Sequence, residues 1–317
     1  MNKYYYAIDV GGTSTKGGIV DEKNNLLFRE SIATDVSPQN NSLAGCILNL
    51  IKKLETVSNM PINGAAGLGI GIPGEIDPRI GKVCVSNNLG LHNYMIVDEL
   101  KKHLNIPIKI ANDANLAALG EFKNGAAKEF KTFVMLTLGT GIGGEFFVEG
   151  KPYSHISPFS GEFGHIKIFG GSNKKCACGE YDCYELYGST RALNNMLKEA
   201  MLKNKDSKMW QTYNENTVNG KAAFEYLNID KTATDVFEKF IEYLGTGVVS
   251  IVNLLMPEAI VIGGSISDQQ QNLTKPLADY VHSHIYAKNI PECKIKIVPA
   301  SLGANAGIIG AKNLFTS

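Results

Sequence analysis

Glycine pairs at the ends of strand-like segments constrain this chain more than any other feature. Asp9-Val10-Gly11-Gly12-Thr13-Ser14-Thr15-Lys16 follows an alternating segment, residues 4–10. Leu138-Gly139-Thr140-Gly141-Ile142-Gly143-Gly144 follows residues 132–138, and Gly263-Gly264-Ser265 follows residues 259–262. Four glycines within 139–144 weaken any strand and need a reason, such as close approach of a ligand. A tight hairpin also explains the first pair. Asp9 before it, with Thr13 and Lys16 after it, tilts the reading towards a phosphate held by backbone N–H groups and a cation. The pattern GxxxxGK[ST] is absent, and a second strand, not a helix, follows the first turn, so P-loop and Rossmann readings are weak.

Around these turns the same grammar recurs twice. Residues 15–20 and 26–32 read as strands joined by Asp21-Glu22-Lys23-Asn24-Asn25. Residues 43–57 carry apolar positions at helical spacing. Residues 66–72 form a glycine-rich strand ending in Pro73-Gly74; a helix (96–104), a strand (108–111) and a helix opened by Asn112 follow. The second half repeats strand (132–138), glycine turn and returning strand (145–149). Helices follow at 189–203, 236–256 and 273–286, strands at 259–262 and 294–298, and a closing helix at 303–314. Two related α/β domains are therefore expected, with a cleft between them. The expected borders are 1–118 plus about 303–317 for a smaller domain, and 119–302 for a larger one. Residues 236–256 could serve a dimer, although an apolar helix of this kind is more often core.

Composition removes whole classes of function. Lysine plus arginine equals aspartate plus glutamate, 31 of each, so the formal charge is zero and non-specific nucleic-acid binding is disfavoured. At 44% hydrophobic and 20% charged, the chain is ordinary for a globular protein. No run approaches the roughly 20 apolar residues of a membrane span, and the start lacks a signal-peptide pattern. A cytoplasmic protein that binds neither membrane nor nucleic acid is expected. The triplets at Asn40 and Asn272 that match a glycosylation acceptor are then accidental.

The six cysteines divide unevenly. Cys46, Cys84 and Cys293 sit in apolar-looking segments and read as small core residues. Cys176, Cys178 and Cys183 cluster downstream of His165. Three thiolates and an imidazole suit a closed, structural tetrahedral zinc site. Three reduced cysteines on a loop are the plainer alternative. Asn112-Asp113-Ala114-Asn115 lies where a strand meets a helix. Asp113 can be a general base there, or either residue can simply cap the helix.

Asp9 to Thr13 with Lys16, Gly139 to Gly143, and Gly263-Gly264 resemble the phosphate and adenosine motifs of the sugar kinase, actin and Hsp70 superfamily. Within it, Gly161-Glu162-Phe163-Gly164-His165 and Cys176-Ala177-Cys178-Gly179-Glu180-Tyr181-Asp182-Cys183-Tyr184-Glu185 are similar to the ROK family (repressors, open reading frames and kinases). The resemblance covers nearly the whole chain, in order. It implies duplicated ribonuclease-H-like domains of the actin-like ATPase fold, closing on a sugar. It implies a hexose kinase that moves the γ-phosphoryl group of Mg-ATP to a 6-hydroxyl, with Asp113 as base and glucose as the favoured acceptor. N-acetylmannosamine, allose, fructose and β-glucosides are the alternatives.

By the same resemblance, Asn112, Glu162, His165, Glu185 and Gly71 meet the sugar. Gly71-Ile72-Pro73-Gly74 and Asn88-Leu89 correspond to segments near it. Asp9, Gly11, Gly12, Thr13, Lys16, Gly139, Thr140 and Gly141 surround the phosphates and Mg²⁺. Gly263 and Gly264 line the adenosine. Zinc would sit on His165, Cys176, Cys178 and Cys183, fixing the loop that carries Glu162 and Glu185. The chain departs from the family at Asp182, where glycine is usual. If that position is left-handed, aspartate tolerates it better than most residues. A homodimer is implied. A sugar-sensing regulator is the rival class, but its added N-terminal DNA-binding domain has no room before Asp9.

Overall fold

The computed structural model describes residues 3–36 and 42–316. Asn40 lies outside them. The chain divides into two compact units: residues 1–129, 151–160 and 304–317, and residues 130–150 and 161–303.

The first unit is built on β1 (Tyr4–Val10), β2 (Ser14–Asp21), β3 (Leu26–Ala33), β4 (Leu68–Ile72) and β8 (Ile108–Asn112), in the order β3-β2-β1-β4-β8. The first three strands are antiparallel; β1, β4 and β8 run parallel. Helix α1 (Ser42–Ser58) places Leu43, Ile47, Leu50 and Leu54 on one face of the sheet. Alternation along β2 shows the two layers. A Cβ at Gly17 would meet Leu50 and Leu54 of α1, whereas one at Gly18 would meet Ile308. Ile308 belongs to α9 (Ala306–Asn313), which covers the opposite face with α3 (Asp113–Asn124). A small separate sheet, β5 (Glu75–Asp77), β6 (Lys82–Ser86) and β7 (Leu91–Tyr94), precedes α2 (Ile96–Lys101). Sequence patterning does not find it, because strands of three to five residues carry almost no period. A two-residue strand, β11 (Lys151–Pro152), lies in the segment that belongs to this unit.

The second unit repeats the plan. Hairpin β9 (Phe133–Leu138) and β10 (Ile142–Val148) is followed by β12 (Ala259–Gly263) and β13 (Lys296–Pro299), parallel to β9, in the order β10-β9-β12-β13. Against this sheet pack α4 (Glu185–Gly188), α5 (Thr190–Lys203), α6 (Lys221–Glu225), α7 (Lys231–Leu255) and α8 (Gln271–His284). Helix α7 starts five residues earlier than its apolar face suggests, because Asp230 caps it by accepting from Ala233 N at 2.9 Å. Phe240, Leu244, Val248, Ile251 and Val252 recur at three- and four-residue spacing and are buried, so this face is core.

Three expectations need correction. A border after residue 118 would cut α3, which runs on to Asn124 as one helix packed on α9. Gly143 and Gly144 are not turn residues: they pair with Thr137 and Leu136 inside the β9–β10 ladder. The missing side chain of Gly144 leaves room for its neighbours, since a Cβ there would lie 2.6 Å from Met135 O and 2.8 Å from the Phe163 ring. Of the three scattered cysteines only Cys46 is fully buried. Among the described residues no helix is long and apolar enough to cross a membrane.

Helices α3 and α9 meet backbone to backbone. A Cβ at Gly310 would lie 1.8 Å from Leu116 O, and one at Gly120 2.2 Å from Ala306 O. Overpacking a rigid backbone contact costs about 1–3 kcal/mol. Gly310→Ala should therefore lower the unfolding temperature by several degrees in a circular-dichroism melt. Gly170→Ala, where an added Cβ meets nothing within 4 Å, should leave it unchanged.

Candidate functional site

In the first unit the carboxyl ends of β1, β4 and β8 bring the predicted residues into one row. Asp9 pairs with Gly71, Gly71 with Ala111, and Ile72 with Asn112. Ligands of open α/β sheets gather at this end of parallel strands. Asp9 also pairs with Lys16 across the hairpin. A Cβ at Gly71 would press on Leu116 Cδ1 at 3.0 Å and would lie at ordinary contact distance from Asp113 Cα (3.5 Å) and Asp9 Oδ1 (3.6 Å), so Gly71 lies between the two acids. Gly307, at the start of α9, makes room for the Asp9 carboxylate: its Cβ would lie 2.6 Å from Asp9 Cγ. Sequence reasoning missed Gly307, since a glycine inside a predicted helix signals nothing by itself.

The turn after β1 is fixed from outside. Gly11 N donates to Ser14 O at 3.0 Å, and the Thr34 hydroxyl donates to Gly11 O at 2.7 Å. Gly12 and Thr13 are exposed. A Cβ at Gly12 would meet nothing within 4 Å, so packing does not explain the glycine there. Burial pushes the Asp9 carboxyl above the usual carboxylate range, and Lys16 and Arg29 pull it part of the way back.

At the next strand end the helix cap is Asn112, not Asp113. Asn112 Oδ1 accepts from Ala114 N at 2.8 Å and Asn115 N at 3.2 Å, while its Nδ2 donates to Gly74 O at 3.0 Å. These bonds use both lone pairs of the amide oxygen and leave one N–H for a ligand. Asp113 is the first residue of α3, its Oδ1 accepting from Ala114 N at 2.9 Å. The positive end of the helix dipole favours its charged form.

In the second unit the β9–β10 turn closes through Gly139 N to Gly141 O at 3.0 Å. It is braced by the start of α5, where Arg191 N donates to Gly139 O at 3.2 Å and the Thr190 hydroxyl to Leu138 O at 3.1 Å. Gly139, like Gly12, has open space where a side chain would be. Gly264 differs. Its φ is +87°, and a Cβ would lie 2.1 Å from Leu138 O, so the fold itself requires glycine there. A Cβ at Gly141 would lie 2.1 Å from Glu185 Oε2, which places the buried Glu185 against the glycine turn.

His165, Cys176, Cys178 and Cys183 converge, with their ligand atoms all within 4.8 Å of one another. The Cys178 and Cys183 sulfurs are 3.7 Å apart, and Cys176 Sγ lies 3.8 Å from His165 Nδ1. Thiolates at about 2.3 Å from a tetrahedral zinc lie about 3.8 Å apart, so the donor set and its spacing fit that ion. Burial pushes the Cys176 thiol up, so without a cation it stays protonated, and metal binding would release its proton. Ligation through Nδ1 would leave His165 Nε2 as a donor, 3.8 Å from Glu162 Oε2. Glu162 is half exposed, whereas Glu185 Oε1 accepts from the Cys176 thiol at 3.0 Å. Lys167 Nζ lies 3.2 Å from Cys183 Sγ and also donates to Tyr181 O. Sequence reasoning missed Lys167, because a lysine two residues from a ligand is ordinarily surface.

Asp182 adopts φ +55°, the left-handed conformation that its replacement of glycine raised as a condition. Hydrogen bonds, that from Ser172 first, lower its carboxyl to about 2.

Asp9 yields a test. A carboxyl raised by burial favours the fold below its ordinary value, and that contribution is lost as pH rises through the native value. Asp9→Asn should therefore unfold at a higher temperature than the parent at neutral pH, the difference fading below about pH 4. Calorimetry across that range checks it; a variant less stable at neutral pH would overturn the reading.

Comparison with known proteins supplies the lineage. The model of the ROK family matches residues 5–317. A glucokinase of Halalkalibacterium halodurans is 28% identical over 311 residues, covering 98% of this chain and 94% of that protein. The xylose repressor of Bacillus subtilis is also 28% identical, covering 98% of this chain and 76% of the repressor. Among solved structures, a ROK family glucokinase from Streptomyces griseus in complex with glucose and AMPPNP matches at a TM-score of 0.84 and 25% identity, with 98% of each chain covered. From Asp9 to the closing helix, this chain belongs to the ROK family.

Proposed function

We propose that the chain is an ATP-dependent hexose kinase with glucose as its favoured acceptor, built on two ribonuclease-H-like domains. One observation carries the reading. Asp113 stands at the start of α3, where Asn112 is the cap, with Gly71 between it and Asp9. Two acids at one sheet end then take different tasks. Buried Asp9, paired with Lys16, belongs to the phosphate side; Asp113, at a helix N-terminus, accepts a proton. The 6-hydroxyl oxygen attacks the γ-phosphorus, the bond to the β-phosphate oxygen breaks, ADP leaves, and the hydroxyl proton passes to Asp113. Mg²⁺, when bound, neutralises phosphate charge, and Asp9 is the carboxylate suited to its water shell.

The other roles follow the chemistry of each group. Gly11, Gly12, Thr13 and Lys16 in one unit, and Gly139, Thr140 and Gly141 in the other, offer N–H groups, a hydroxyl and a cation to phosphate oxygens. Open space at Gly12 and Gly139 supports this, because no atom of the described residues claims it. Gly263 and Gly264 take the adenosine. Asn112, Glu162, His165 and Glu185 hold sugar hydroxyls, and zinc on His165, Cys176, Cys178 and Cys183 fixes the segment that bears the last three. Glucose leads the acceptors because the curated glucokinase is similar over almost the whole chain. The equal identity of the xylose repressor supports one rival, sugar binding without catalysis.

ADP release from Mg-ATP should be fastest with glucose in a panel that includes N-acetylmannosamine, mannose, fructose and allose. Asp113→Asn should lose about 10²–10⁴-fold in kcat while glucose binding, read by calorimetry, persists. Binding of glucose with no turnover by the parent would favour the sensor. Metal analysis should find one zinc per chain, lost in Cys183→Ser and retained in Cys293→Ser. Chelation should raise the glucose KM and leave the ATP KM unmoved; an unmoved glucose KM would remove zinc from sugar positioning.

A further inference from the structure

Asp182 is 7% exposed as a residue, and its carboxylate accepts from four donors. The Ser172 hydroxyl and Lys174 N, at 3.1 Å, reach Oδ1, and Asn173 N reaches Oδ2 at 3.2 Å. The fourth is the Tyr187 hydroxyl, which donates to Oδ1 at 2.8 Å. Three donors come from the segment that leads into the cysteines; the fourth comes from α4, whose first residue is Glu185. None is a metal ligand. The Tyr187 end is firmly held: its ring is buried, 5.2 Å from Phe169 and 5.3 Å from Tyr243 of α7. Asp182 N also donates to Lys174 O at 2.8 Å, which doubles the tie to that segment.

We propose that Asp182 is a positioning residue, a second fastener that keeps the cysteine loop folded on α4 when no cation is bound. It thereby keeps Glu185, though not the zinc-bound His165 or its neighbour Glu162, in register for the sugar, a consequence that rests on the function proposed above. Hydrogen bonds to a buried carboxylate are charge-assisted and stronger than neutral ones, so four of them can hold a short loop without metal. With the ion in place, four ligand bonds hold the same loop and the carboxylate is redundant. The two fasteners therefore act on one element and their losses are not additive.

Asp182→Gly removes the carboxylate without backbone strain, since glycine adopts φ +55° freely. The parent and this variant would each be compared zinc-loaded and chelated. The readouts are the rate of tryptic cleavage at exposed Lys174 and Lys175, the rate of zinc transfer to a chromogenic chelator, and the KM values for glucose and ATP. Zinc-loaded, the two proteins should agree within about twofold in cleavage rate and in both KM values, while the variant gives up zinc faster. Chelated, the variant should be cut at least tenfold faster than the parent, with a glucose KM at least tenfold higher and an unchanged ATP KM. The double variant Ser172→Ala/Tyr187→Phe should behave likewise, and decides the matter if Asp182→Gly does not fold. Equal responses of parent and variant to chelation would overturn the proposal. Absence of glucose turnover in the parent would count against the kinase reading alone, because cleavage and zinc release test the clamp without it.

Discussion

The close approach of α9 to the sheet and to α3 is the constraint on which the first unit depends. A Cβ at Gly69 would lie 2.0 Å from Ala311 O, and Gly120 and Gly310 permit equally short distances between helices. At such separations backbone atoms replace side chains as the packing surface, and the geometry cannot be retuned by changing rotamers. That rigidity reaches the site. It sets the start of α9 beside Asp9, where Gly307 alone leaves room for a carboxylate. It holds α3 against the sheet, so that Asp113 emerges across Gly71 from Asp9. The acids are thus placed by the absence of side chains as much as by their own positions.

Asp9 and Asp113, both only partly exposed, stand in different surroundings. Asp9 is raised by desolvation, so its ionised form is held at a cost that a cation, or a phosphate-bound ion, would offset. Asp113 sits on a helix N-terminus whose capping is done by another residue. In the second unit Cys176, Cys178, Cys183 and His165 form the cluster, while the Asp182 carboxylate bonds to residues outside it.

Much of this was legible in the chain itself. Strong periodicity located the hairpins, α1 and the buried face of α7, and ligand spacing located the cysteine cluster, because thiol chemistry leaves few alternatives. The three short strands of residues 75–94 were not legible, being too brief to show a period. Nor was the role of Asn112 against Asp113, since both cap helices well and only the bonds to Ala114 N and Asn115 N identify the cap. Glycines misled in both directions. Gly264 serves the fold where a ligand reading also fitted, and Gly143 and Gly144 are strand where a turn was expected.

Sequence alone thus determined the kinds of the longer elements, their order and the chemistry that each motif can offer. These follow from local properties: period, turn residues and the donors a side chain carries. Tertiary structure decided which glycines exist for packing, and that Asp182 gathers donors from residues 172–174 and 187. Those outcomes depend on distances between residues far apart in the chain or brought around a loop. No local pattern encodes them, because the sequence marks such a close approach only by the side chain that is missing.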